Sequence, residues 1–126
     1  MTSRTILLDS NIYGTVTCNN MVSLSQLCLN PTVISDNHTV STTEYLIYID
    51  TASAPVGVTI TLPLASSANN QTFFIVDATG SANIKPIKIV ASGDDLICGQ
   101  SSILINTNYI SLTLFAYGPK NIYSII

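Results

Sequence analysis

The fold class follows from residues 56–64, which read VGVTITLPL. Apolar side chains at Val58, Ile60 and Leu62 alternate there with threonine and glycine. Successive side chains of a β-strand point to opposite sides of its sheet, so this period of two predicts a half-buried strand. Pro63 has no N–H to donate to a neighbouring strand, and it marks the end of the strand or an unpaired edge.

Six further segments alternate in the same way or are rich in the β-branched and aromatic residues that favour strands. These segments are residues 45–49, 73–76, 87–90, 102–105, 109–116 and 122–126. Turn signals separate them, and Asp77-Ala78-Thr79-Gly80 has the residues that a type I turn prefers at its first and fourth positions. Short strands at such close spacing are typical of an all-β domain.

We therefore expect short antiparallel strands in a compact sandwich- or prism-like module that trimerises. A soft boundary near Asn37 divides the chain into an N-terminal attachment or assembly arm, residues 1–38, and a β-rich domain, residues 39–126. One side of the alternating strands is apolar, and we expect it either in the core or at the trimer interface. The residues of this side are Val58, Ile60, Leu62, Ile110, Leu112 and Leu114.

The 126 residues are 47% hydrophobic but only 9% charged, against about 25% charged residues in ordinary domains. This balance excludes an intrinsically disordered chain. The formal net charge of −3 has the wrong sign for a protein that binds nucleic acid through a basic surface. The sequence also lacks the run of about 18 apolar residues that membrane insertion by a helix requires.

Serine, threonine and asparagine make up about a third of the chain and replace the missing charges at the surface. Such a neutral surface favours self-association. We expect copies of the chain to cover one another, the alternative being compositional drift in an AT-rich genome. A closed symmetric homotrimer would end this association at a defined size.

From about Thr39 to Ile126, several short phrases follow one another in an order that resembles a known family of viral modules. The phrases are residues 45–50, VTITLP at 58–63, FIVDATGSA at 74–82, IKI at 87–89, GDDLICG at 93–99, INTNY at 105–109 and NIYSII at 121–126. Their order is similar to that in trimeric tail-fibre, spike or head-fibre domains of bacteriophages, large DNA viruses and virophages. The resemblance implies a β-rich homotrimer on a virion, assembled in the host cytoplasm. The N-terminal arm would contact capsid or tail proteins.

Catalytic and metal-ligating residue types form no constellation in the sequence. His38, the only histidine, has Asp36 too close along the chain for a hydrolase triad, and whether it lies on a symmetry axis is left open. Adjacent carboxylates such as Asp94 and Asp95 supply too few oxygens for calcium. We expect no catalytic residue, no cofactor, no bound metal and no enzymatic activity. Whether Cys18 and Cys28 form a disulfide is also left open.

Four aromatic residues near the C-terminus are candidate contacts for a receptor or a host surface glycan: Tyr109, Phe115, Tyr117 and Tyr123. A tyrosine ring offers a flat apolar surface and a hydroxyl group, although such rings also pack on sheets or between subunits. The function expected from the sequence is a virion structural protein: a homotrimeric fibre, spike or capsid-decoration component with a role in host attachment. The alternatives are a carbohydrate-binding, lectin- or adhesin-like module and, third, a small enzyme.

Overall fold

The computed structural model describes residues 28–126, which form ten β-strands, one short 3₁₀ turn at Gly118–Lys120 and no α-helix. The strands are β1 (Thr32–Ile34), β2 (His38–Thr39), β3 (Leu46–Ile49), β4 (Val58–Thr61), β5 (Thr72–Asp77), β6 (Ile87–Val90), β7 (Leu96–Ile97), β8 (Ser102–Ile105), β9 (Ser111–Tyr117) and β10 (Ile122–Ile125). The all-β prediction is confirmed, and each segment expected to be a strand contains one. The expected segments omit β1, β2 and β7.

The strands form two sheets. The six-stranded sheet has the order β1-β3-β5-β9-β10-β7, and the four-stranded sheet has the order β2-β4-β6-β8. From β1 to β8 the chain places odd-numbered strands in the first sheet and even-numbered strands in the second. Consecutive strands therefore belong to different sheets until β9 and β10, which pair with each other.

Both sheets are mixed, so the expectation of antiparallel strands throughout is wrong. Five of the eight strand pairs are parallel, for example β3 with β5 and β4 with β6. In four of the five parallel pairs the chain leaves one sheet, forms a strand in the other and returns in its original direction. The chain makes the same crossing between β6 and β8 but returns in the opposite direction. Parallel neighbours need such a crossover connection, and here a strand of the other sheet supplies it.

The inward-facing side chains of both sheets belong to a single buried hydrophobic cluster. Its largest members are Tyr123 of β10 and Phe73 of β5, whose ring centroids lie 6.2 Å apart at a tilt of 58°. The Tyr123 hydroxyl donates a hydrogen bond of 2.5 Å to the backbone carbonyl of Pro63, which satisfies its polar group inside the core. The apolar sides of both sheets are therefore buried within one chain.

The boundary expected near Asn37 lies between β1, which pairs with β3, and β2, which pairs with β4. The assignment of residues 1–38 as an attachment arm stays a prediction, and most of that segment lies outside the described residues. The same is true of Cys18 and of any disulfide between it and Cys28.

Candidate functional site

The solvent side of the six-stranded sheet is the largest uncharged surface that alternation produces in residues 28–126, and we call it the outer face. Its residues are Val33, Leu46, Tyr48, Thr72, Phe74, Val76, Leu96, Ser111, Thr113, Phe115, Tyr117, Ile122 and Ser124. None of them carries a charge, and all except the four serines and threonines are apolar or aromatic. Val33, Tyr48 and Tyr117 are among the large hydrophobic side chains that remain exposed.

Strand register brings the members of the outer face side by side. Val33 lies opposite Tyr48 and Tyr48 opposite Val76, while Leu46 lies opposite Phe74. Directly opposed side chains in neighbouring strands are in contact range. The apolar residues of the outer face therefore form continuous rows across the strands and not isolated exposed positions.

The solvent side of the four-stranded sheet has a different chemistry. Its outward residues are Thr39, Thr59, Thr61, Lys88, Val90, Ser102 and Leu104. Hydroxyl groups and the ammonium of Lys88 dominate this surface, as expected for a sheet that faces water. Only one of the two sheets thus carries an outward surface typical of an interface.

The six residues expected in the core or at a trimer interface lie in two different environments. Val58, Ile60, Leu62 and Leu114 are buried within the single chain. These four residues pack between the two sheets, so they do not form a contact surface for another copy.

The other two, Ile110 and Leu112, line a groove of about 240 Å³ where β8 lies near β9 and β10. The lining residues are Ile103, Leu104, Ile105, Asn106, Thr107, Ile110, Leu112 and Ile125. β8 is at an edge of its sheet, with β6 as its only neighbour among the described strands. The groove borders the core, because Ile105 belongs to the buried cluster and Ile103 and Leu112 pack against it.

The four aromatic residues proposed as a contact face are not brought together by the fold. Phe115 and Tyr117 both belong to the outer face. Tyr109 precedes β9 in a separate turn, where 71% of its surface is exposed. Tyr123 is completely buried, so its assignment to a contact face is wrong. Burial raises the pKa of the Tyr123 hydroxyl, and the nearby charge of Asp95 raises it further.

The sequence analysis missed two aromatic members of the outer face, Tyr48 and Phe74. Both lie in segments that were expected to be strands, β3 and β5. Alternation in those segments puts Tyr48 and Phe74 on the side opposite their buried neighbours, which is the side where Phe115 and Tyr117 lie.

Asp77 organises the turns beside the outer face. It is buried at the end of β5, and its Oδ1 atom accepts hydrogen bonds from the Thr51 hydroxyl at 2.6 Å and from the Gly80 N–H at 3.0 Å. Its Oδ2 atom accepts from the N–H groups of Tyr109 at 3.0 Å and Ala82 at 3.3 Å. Burial raises the pKa of Asp77, but the bonds from Thr51 and the three N–H groups outweigh it and hold the pKa below its usual value.

Tyr109 has a backbone conformation that is rare for a residue with a side chain. Its φ angle is 61°, in the left-handed region, which costs about 1–3 kcal/mol for a non-glycine residue. The ring lies directly over Gly80, where a Cβ atom would clash with it. The hydrogen bond from the Tyr109 N–H to Asp77 stabilises this arrangement.

His38 is paired with a carboxylate. Its Nε2 atom lies 2.7 Å from Oε2 of Glu44, whose Oε1 atom accepts a 2.9 Å hydrogen bond from the Ser41 N–H. Partial burial raises the pKa of Glu44, but hydrogen bonds from the Ser41 backbone, His38 and Thr32 outweigh it and lower the pKa to about 2. The pair tethers β2, at the edge of its sheet, to the segment that leads into β3.

Within residues 28–126, His, Cys, Asp and Glu side chains nowhere form a group of three that could hold a metal ion. Over the same residues, no helix has the length and hydropathy to cross a membrane.

The sequence matches no protein-family model and no curated protein. The outer face, the groove and the Tyr109 turn are therefore the features from which a function can be argued.

Proposed function

We propose that this protein is a non-enzymatic structural module that assembles as a homotrimer and serves as a fibre, spike or decoration component of a virion. The observation that carries the proposal is the outer face, an uncharged apolar surface across six strands. Six strands at about 4.8 Å spacing make this surface about 24 Å wide. Soluble monomers rarely expose continuous apolar patches of more than a few hundred Å².

Charge favours a second copy of the same chain as the occupant of the outer face. The chain carries a net charge of −3, so two copies repel each other wherever their charged residues meet. The outer face has no charged residue, and identical copies can approach there without like-charge repulsion. Three copies of one face around an axis form a closed contact that does not polymerise.

The number of copies and the virion assignment rest on the resemblance of residues 39–126 to trimeric viral fibre modules. In this arrangement each protomer is a two-layered, sandwich-like unit, and three six-stranded sheets face the threefold axis as the sides of a prism. The N-terminal arm, residues 1–38, would attach the trimer to a capsid or tail protein.

The mass of the protein in solution tests the proposal. Sedimentation equilibrium of the full chain is expected to give three times the 13.4 kDa mass of one chain. Phe74→Asp puts a charge in the centre of the outer face, where assembly would bury it unpaired, so we expect this variant to sediment as a monomer. Phe74 is 37% exposed, so the substitution leaves the core of the protomer intact.

Thr59→Asp is the matched control, because Thr59 points outward from the four-stranded sheet and lies opposite Lys88. This variant is expected to keep the wild-type mass. A wild-type protein that remains a monomer up to millimolar concentration would contradict the proposal. So would a Phe74→Asp variant that sediments like the wild type.

A carbohydrate-binding, lectin-like module is the second candidate. It is favoured by the aromatic rings of Tyr48, Phe74 and Tyr117, which share the outer face. In that case the face would stay open in a monomer and take up a glycan. A monomeric wild-type protein that loses glycan binding on Phe74→Asp would support this candidate over the first.

A further inference from the structure

We propose that the Tyr109 turn is a carbohydrate-binding site that stacks one neutral sugar ring on the phenol ring of Tyr109. The site lies within one chain and is separate from the outer face, so it does not depend on trimer assembly. It would give the structural module the means to attach to a glycan-coated surface.

Several features of the fold combine to hold the ring of Tyr109 at the surface. Tyr109 has a left-handed φ of 61°, which a residue with a side chain rarely adopts. The buried carboxylate of Asp77 accepts the Tyr109 N–H and holds this conformation. Gly80, with a φ of 73°, leaves room for the ring to lie on the backbone.

This arrangement leaves the ring of Tyr109 exposed to solvent. A tyrosine ring supported only for packing would lose most of its surface to neighbours, but Tyr109 remains 71% exposed. One side of the ring lies against Gly80, while much of the rest is open to solvent. A rigidly held ring with an open side is pre-organised for stacking, which reduces the entropy lost on binding.

The residues that come directly before Tyr109 in the chain are polar and uncharged. Asn106, Thr107 and Asn108 precede it, and the side-chain oxygen of Asn108 accepts a 2.8 Å hydrogen bond from the Asn83 N–H. Amides and hydroxyls donate and accept hydrogen bonds, as the hydroxyl groups of a sugar require. The segment from residue 96 to residue 119 has no charged side chain. An apolar ring that follows neutral polar side chains along the chain is suited to a neutral sugar.

Binding to a panel of immobilised neutral oligosaccharides, built from hexose and N-acetylhexosamine units, tests the site. The wild-type protein is expected to bind at least one member. Tyr109→Gly removes the ring but keeps a residue that adopts the left-handed conformation readily, so the fold is retained. We expect this variant to bind at least about tenfold more weakly, and Tyr109→Phe to retain most of the affinity.

Val56→Ala is the control, because it removes an exposed apolar side chain that belongs neither to the outer face nor to the Tyr109 turn. This control is expected to bind the same sugar with wild-type affinity. Tyr117→Ala removes an exposed ring from the outer face and tests whether the sugar binds there instead. Three results would overturn the site: no binding to any member of the panel, equal binding by Tyr109→Gly, or loss of binding in Tyr117→Ala but not in Tyr109→Gly. A Tyr109→Gly variant that loses self-assembly would identify the ring as a contact between protein chains and would also overturn it.

Discussion

Replacement of Asp77 gives a direct measure of how much of the stability depends on one buried carboxylate. Asp77→Asn keeps the size of the side chain but retains only one acceptor oxygen. The four donors that Asp77 satisfies are the Thr51 hydroxyl and three backbone N–H groups, on Gly80, Ala82 and Tyr109. The new amide group would point its own N–H groups at two of these donors.

The geometry of the donors sets the size of the effect. The Thr51 hydroxyl has a second partner in Thr79 at 3.3 Å, so its loss costs little. A buried N–H that loses its acceptor costs about 1–3 kcal/mol. The amide nitrogen of the Asp77→Asn variant is therefore expected to take the place of Oδ1, facing the Thr51 hydroxyl and the Gly80 N–H. One backbone N–H then loses its acceptor, and the free energy of unfolding is expected to fall by about 1–3 kcal/mol.

Urea unfolding followed by far-ultraviolet circular dichroism measures this change, at one protein concentration for all variants. Asp94→Asn is the control, because Asp94 is exposed in the turn before β7. The control is expected to change the stability by less than about 0.5 kcal/mol. Equal losses in the two variants would refute the reasoning.

The stability difference between the wild type and Asp77→Asn depends on pH, and the lowered pKa of Asp77 gives the direction of this dependence. The pKa of Asp77 is lower in the folded protein than its ordinary value of 3.8. Its stabilising contribution is therefore complete above that value and is lost as the pH falls towards the folded pKa. The stability difference between the wild type and Asp77→Asn should narrow below about pH 4, and a constant difference would contradict the role of the charged carboxylate.

Three further substitutions test other parts of the structure. Gly80→Ala adds a Cβ atom that clashes with the Tyr109 ring. In urea unfolding it should lose more stability than the control Gly99→Ala, where φ is also positive but the space is open. Equal losses of stability in the two variants would contradict the contact between Gly80 and the Tyr109 ring. The pKa of Glu44 in the folded protein is about 2, so the stabilising contribution of its carboxylate is lost as the pH falls from 4.5 to about 2. Glu44→Gln should therefore lose less stability than the wild type over this pH range. An equal loss of stability in the two proteins would show that the Glu44 carboxylate is not the cause. Leu112→Asp places an unpaired charge against the core of the protomer, away from the outer face, and should lower the free energy of unfolding in urea. A stability equal to that of the wild type would show that the groove tolerates charge.

The sequence was sufficient to identify the longer strands, because alternation is a local property of the chain. β4 and β9 alternate over four and seven residues, which is enough to assign a buried side. β2 and β7 are only two residues long and contain no readable period. Their existence depends on the neighbouring strands, β4 and β10, to which they add an edge.

Strand direction and sheet membership could not be obtained in the same way. Alternation does not reveal whether the next strand joins the same sheet or the opposite one, and the parallel pairs follow from that choice. The candidate site was predicted only in part, since Phe115 and Tyr117 share a surface with residues distant in sequence. The left-handed conformation of Tyr109 had no signal in the sequence, because it is imposed by Asp77 and Gly80 through the fold.

From β1 to β8, successive strands alternate between the two sheets, and this order affects the rates of folding and unfolding. β5 (Thr72–Asp77) cannot pair with β9 (Ser111–Tyr117) until the intervening segment, which includes β6, β7 and β8, has been made and positioned. Pairings between distant segments slow folding because the entropy of loop closure is lost before the contacts form. Pairings that form only after the transition state must be broken before the chain can unfold, so they slow unfolding as well. The folded chain would then be long-lived outside a cell, where no chaperone could restore it.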